Sequence, residues 1–121
     1  MHELSVCQGM LRQVGAIAAD HEARAVTGIT VRIGPLSGVE PELLAQAFPI
    51  ASAGTVADGA DLIIETLPVR VHCETCGEDS DAAINRLLCG SCGDYHTRLI
   101  SGDELLLASV EMDTEREPAR A

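Results

Sequence analysis

From Leu4 onward apolar residues return at alternating spacings of three and four: Leu4, Cys7, Leu11, Val14 and Ala18. They line one face of a helix predicted over residues 4 to about 20. The period then shortens to two. In TGITVRIG, Ile29, Val31 and Ile33 alternate with Thr30 and Arg32 between Gly28 and Gly34, which predicts a half-buried strand. LSGVEPELLAQAF predicts a turn and a second helix. Pro41 suits its first turn, Glu40 and Glu42 favour the positive end of its dipole, and Leu43, Leu44, Ala47 and Phe48 form its apolar face. Pro49 has no amide hydrogen, so a kink or an end is expected there. ASAGTVADGA reads as loop, ADLIIETLPVRVH as a second strand interrupted at Pro68, and DELLLASVEMD as a third strand. The polar tail over residues 114–121, TEREPARA, is expected to be disordered.

Between the last two strands runs a segment from Cys73 to about Thr97 that is poor in large apolar residues. Such a segment has no core of its own and needs a staple. CETCGEDSDAAINRLLCGSCG supplies it: Cys73 and Cys76 form one CxxC, Cys89 and Cys92 another, with twelve residues between them. Two residues between cysteines allow a tight turn that points both sulfurs inward, and four thiolates then converge tetrahedrally on one ion. Gly77 and Gly93, each just after a pair, permit the backbone turn that brings amide N–H groups to sulfur.

All four positions being filled by protein favours structural zinc over a catalytic site. A rubredoxin-like iron carrier uses similar knuckles, but the aromatic packing expected of one is missing. A thioredoxin-type redox pair needs a CxxC opening a helix after a strand, and neither pair does so obviously. His72 and His96 flank the cluster. They read either as exposed residues around it or as histidines that exchange with a thiolate or remodel the site on protonation. Cys7, on the apolar face of the first helix, reads as a small buried hydrophobe.

Composition narrows the class. With one Tyr, one Phe and no Trp, the core must be aliphatic. Nineteen acidic residues against eight arginines and no lysine give a formal charge of -11, which repels phosphate backbones and anionic lipid. Nucleic acid and membrane are therefore not expected partners; cations and basic protein patches are. Glu3 and the absence of a basic leader argue against a signal peptide, and no apolar run approaches the ~20 residues of a membrane span. A cytoplasmic location is expected, where clustered cysteines more often hold metal than form disulfides. There is no Gly-rich phosphate loop and no credible nucleophile–base pair, so no enzyme activity is expected.

The opening residues Met1, His2 and Glu3 carry the second candidate site. His2 is expected to keep Met1 in place, because aminopeptidases need a small second residue. The terminal amine and the deprotonated amide of His2 close a five-membered chelate ring, and that amide and the imidazole Nδ1 close a six-membered one. Three nitrogens in a plane suit Ni(II) or Cu(II), with a fourth ligand from the Glu3 backbone, a side chain or solvent. His21, after the helix, reads as a charge at its C-terminal end.

The opening MHE, the stretch IGPLSGVEPELL, the two CxxC motifs and the terminal LLLASVEM together resemble the HypA/HybF family of nickel metallochaperones for [NiFe]-hydrogenase maturation. The resemblance runs from end to end. It implies an α+β fold: two helices packed on a three-stranded sheet, with a small four-cysteine zinc-ribbon-like module inserted before the last strand. The nickel-binding domain would span residues 1–69, completed by the strand at about 103–113, and the zinc module residues 70–101. It further implies Ni(II) bound at the N-terminus on His2, with Met1 and Glu3 contributing, and zinc held by Cys73, Cys76, Cys89 and Cys92. The expected partners are a HypB-type GTPase and the hydrogenase large-subunit precursor, some family members also serving urease. The chain itself is expected as a monomer or weak homodimer. The departures are Pro49, expected to shorten the second helix, and an Arg-bearing tail. The rival reading is a zinc-ribbon interaction module that moves no metal.

Overall fold

A computed structural model describes residues 2–114. Met1 and residues 115–121, which include nearly all of the expected disordered tail, lie outside the described residues. The first helix, α1, spans His2–Asp20, so it begins two residues earlier than the apolar pattern alone indicates. Cys7, Met10, Leu11, Val14 and Ala18 are its buried apolar residues. It ends without a glycine. Glu22 takes the left-handed conformation (φ 55°). The Ala23 N–H then donates to the Ala18 carbonyl at 2.8 Å and the Glu22 N–H to that of Ala19 at 3.1 Å, a Schellman closure. His21 sets its Nδ1 3.0 Å from the Ile17 carbonyl oxygen, at the negative end of the helix dipole.

Strand β1 (Ala25–Ile33) follows, then helix α2 (Pro41–Ser52). The end or shortening expected at Pro49 does not occur: α2 runs through that residue to Ser52. Proline at this position forfeits a single ladder bond, to the Ala45 carbonyl, close to the helix end. Phe48 and Ser52, 4% and 2% exposed, anchor the turn on either side of it.

Strands β2 (Asp61–Thr66), β3 (Arg70–Cys73), β4 (Asp79–Asp81), β5 (Thr97–Ser101) and β6 (Leu105–Asp113) complete the order. They form two three-stranded sheets, β2-β1-β6 and β4-β3-β5. The interruption at Pro68 thus separates two strands of different sheets. In the smaller sheet β3 pairs antiparallel with both neighbours: Val71 faces Ser80 on one side and Leu99 on the other, with an irregularity at Arg70/Val71. β4 and β5 carry no alternating pattern, and the sequence gives no sign of them.

The chain divides into two compact units. One takes the described residues up to Val31, Glu40–Ile64 and the described residues from Leu107; the other takes Arg32–Val39 and Glu65–Leu106. In the first, α1 and α2 pair, and Cys7, Val14, Val26, Ile29, Val31 and Leu44 are almost wholly buried. In the second, the turn after β1 packs on the turn before β6: a Cβ on Gly34 would come within 2.1 Å of the Gly102 main chain, so only glycine fits.

Candidate metal centre

β3 delivers Cys73, the first cysteine of the set of four, at its end. The chain then makes two matching knuckles. Gly77 and Gly93 both take positive φ (80° and 78°), and their N–H groups donate to the carbonyls of Cys73 and Cys89 at 3.0 and 2.9 Å. Each knuckle aims two amides at its leading sulfur. Cys73 Sγ accepts from Thr75 and Cys76 at 3.4 and 3.3 Å; Cys89 Sγ accepts from Ser91 and Cys92 at 3.3 and 3.4 Å. Cys73 and Cys89 are buried, Cys76 and Cys92 exposed.

The four sulfurs lie within 4.8 Å of one another, with Cys73–Cys92 and Cys76–Cys89 both at 3.7 Å. A disulfide needs about 2.05 Å. A tetrahedron with zinc–sulfur bonds of about 2.3 Å has edges of about 3.8 Å. The four-cysteine set therefore fits a metal site of the zinc type.

Its electrostatics divide the thiols. The Cys92 and Ser91 amides hold Cys89 down to about 6, and the Cys76 amide lowers Cys73. The Glu78 amide draws Cys76 down, but burial and the neighbouring sulfurs outweigh it and push that thiol up to about 12. Cys92 is raised in the same way against the pull of the Asp94 amide. The amides thus favour the ionised form at Cys73 and Cys89, while burial and neighbouring sulfurs disfavour it at Cys76 and Cys92.

His72 and His96 are outside the converging set; each sets its Nδ1 against a carboxylate, Asp79 at 2.7 Å and Asp94 at 2.9 Å. Cys7 is fully buried, and its thiol donates to the Leu44 carbonyl at 3.7 Å.

At the other candidate site, His2 is the first residue of α1 and is exposed, while Glu3 beside it is buried. The Glu3 carboxylate accepts the Glu40 N–H at 3.0 Å. In a capping box the third residue of a helix returns a carboxylate to that amide. In α2 that residue is Leu43, and Glu3 supplies the carboxylate from another helix. This bond leads the causes that lower the Glu3 carboxyl below its usual value. Glu3 Oε2 is also 3.6 Å from His2 Nε2. Sequence reasoning placed Glu3 at the site but missed this tether, since its partner is 37 positions away.

The model of the hydrogenase/urease nickel incorporation metallochaperones, HypA, matches residues 1–112. The chain belongs to the HypA family. It is 49% identical to the hydrogenase maturation factor HypA of Nitrosospira multiformis, over 94% of this chain and 99% of that one. To the HypA of Aquifex aeolicus it is 40% identical, over 95% and 100%. Among solved structures it is similar to the nickel metallochaperone HypA from Helicobacter pylori, with 26% identity, 95% of this chain and 100% of that chain covered, and a TM-score of 0.69. The curated relatives are hydrogenase maturation factors, and among the described residues no helix is long and apolar enough to cross a membrane.

Proposed function

We propose that this HypA-family chain carries nickel as cargo, taking Ni(II) at its N-terminus on His2 and handing it on during [NiFe]-hydrogenase maturation. Zinc at Cys73, Cys76, Cys89 and Cys92 braces the module over residues 70–101. The observation that carries this reading is the pairing of His2 with a buried, hydrogen-bonded Glu3 at the start of α1. A carboxylate facing Nε2 favours the tautomer with its proton there, which leaves the Nδ1 lone pair for metal. The amides of a helix's first turn have no intrahelical acceptor, so the His2 amide is open to deprotonation and ligation.

Glu3 has a separate task in this scheme. With its carboxylate committed to the Glu40 amide, its contribution to the metal is through the main chain, and its side chain orients the imidazole. The Met1 amine completes the planar nitrogen set. Exposure of His2 suits a labile carrier site, whereas two buried sulfurs in the four-cysteine site suit retention. The partners we assign are a HypB-type GTPase and the hydrogenase large-subunit precursor, approached in the cytoplasm by a monomer or weak homodimer. The charge of -11 favours partners with a basic docking face.

The test is Ni(II) titration of zinc-loaded protein with its native N-terminus, alongside His2→Ala and a variant with a short extension before Met1. About one nickel per native chain, weakened at least tenfold by either change, is expected; tenfold corresponds to ~1.4 kcal/mol. Equal binding by all three would leave a zinc-ribbon interaction module that moves no metal.

A further inference from the structure

Thr75 lies between the two cysteines of the first knuckle, and its hydroxyl donates to a carboxylate oxygen of Asp94, just beyond the second knuckle. Asp94 has further attachments on its own side. Its Oδ1 accepts the His96 N–H at 3.2 Å and lies 2.9 Å from His96 Nδ1. Its carbonyl accepts the N–H of Cys89, a member of the four-cysteine set, at 2.9 Å. One residue therefore holds the second knuckle and the approach to β5 while gripping the first knuckle by a side-chain bond. The grip falls where it matters for sulfur: the Thr75 amide is one of the two aimed at Cys73 Sγ, at 3.4 Å.

We propose that Thr75 and Asp94 form a latch across the four-cysteine site, a positioning pair that keeps the first knuckle closed on the metal. The proposal rests on the reading of that site as a zinc site. Cys76 and Cys92 are the exposed cysteines of the set, so a competing ligand meets the metal on their side. Opening of the first knuckle as a whole, which carries Cys76 off the metal, turns the Thr75–Cys76 peptide. Turning it breaks the hydroxyl–carboxylate bond, which is charge-assisted and stronger than a neutral one. The latch therefore slows metal loss, leaving the ligand set and the metal stoichiometry unchanged. The exposed Arg98–Glu74 pair, 3.3 Å apart, also joins β5 to the first knuckle but touches neither sulfur nor Asp94, and serves as the control.

The experiment measures zinc transfer from the full, zinc-loaded chain to an excess of a chromophoric chelator. Native protein is compared with Thr75→Ala, Thr75→Ser, Asp94→Ala, the Thr75→Ala/Asp94→Ala double variant and Arg98→Gln. The expected result is one zinc per chain in all of them and release at least tenfold faster in both single alanine variants. The double variant should be no faster than the faster single, because both remove the same bond. Thr75→Ser, which keeps the hydroxyl, should return release to within about twofold of native, and Arg98→Gln should match native. Single variants within twofold of native, effects that multiply in the double, or a serine that fails to rescue would each overturn the latch. Should Asp94→Ala not fold, the alanine–serine contrast at Thr75 decides alone. Native protein that binds no zinc would overturn the zinc reading and the latch together; native protein that holds zinc while the variants release it at its rate would overturn the latch only.

Discussion

In the unit built on α1 and α2, Cys7, Val14, Ile29 and Leu44 have no exposed surface, and a continuous aliphatic set does the packing. In the unit that carries the cysteines, the large side chains buried to the same degree are Ile33 and Val71, joined by Cys73, while Ile84 and Tyr95 remain 55% and 71% exposed. One unit is held by apolar area removed from water. The other has too little of it, and on the proposed zinc reading a metal cross-link takes its place, as small elements without a core generally need. Under the proposed function the difference also separates two kinds of metal chemistry: a site that is the staple of its fold must stay loaded, and a carrier site must not be one.

Stripping the metal is the change that should separate the two units most. With the ion removed by chelator, or with Cys73→Ser, amide exchange protection is expected to vanish over Arg70–Cys73 and Thr97–Ser101 and to persist in α1; apparent zinc-site energies of about 10–16 kcal/mol set the scale. Simultaneous loss in α1 would break the comparison. Next in size, Leu44→Ala removes a fully buried side chain and should cost about 2–5 kcal/mol in denaturant unfolding followed by helix signal. Metal stoichiometry should not change, and a loss of bound zinc would count against separate modes of stabilisation.

A smaller effect sharpens the picture at the N-terminus. Glu3 ionises more readily folded than unfolded. Its contribution is therefore fully present above the ordinary carboxylate value of about 4.3 and is lost as pH falls through its lowered folded value. Glu3→Gln should make Tm lower than native at about pH 7 and shrink the native protein's further loss on acidification. Parallel Tm profiles for the two proteins would show that the tether to Glu40 does not stabilise the helix pair.

Local pattern made much of this molecule legible. The spacing of Leu4, Cys7, Leu11 and Val14 and the alternation around Ile29 correspond to α1 and β1, and the doubled CxxC corresponds to the converging sulfurs. β4 and β5 were not legible, because Asp79–Asp81 and Thr97–Ser101 are too short and too polar to show a period; they exist through pairing with β3. Pro49 misleads when read alone, since its rule weighs the lost hydrogen bond and not the burial of Phe48 and Ser52 around it. His72 and His96 pair with Asp79 and Asp94, partners that chain position gave no means of choosing.

The sequence by itself determined which residues are chemically equipped: four thiols in two tight turns, an imidazole at position 2, an aliphatic core and a surplus of negative charge. These follow from side-chain chemistry and from periods of two to four residues, over which the backbone geometry is nearly fixed. Only the tertiary structure decided that Glu3 completes the N-terminus of α2 and that Asp94 grips Thr75 across the sulfurs. Such bonds join positions far apart in the chain, and nothing in either neighbourhood specifies the partner. They exist because the fold brings an amide or a hydroxyl within about 3 Å of a carboxylate, part-buried at Glu3 and exposed at Thr75.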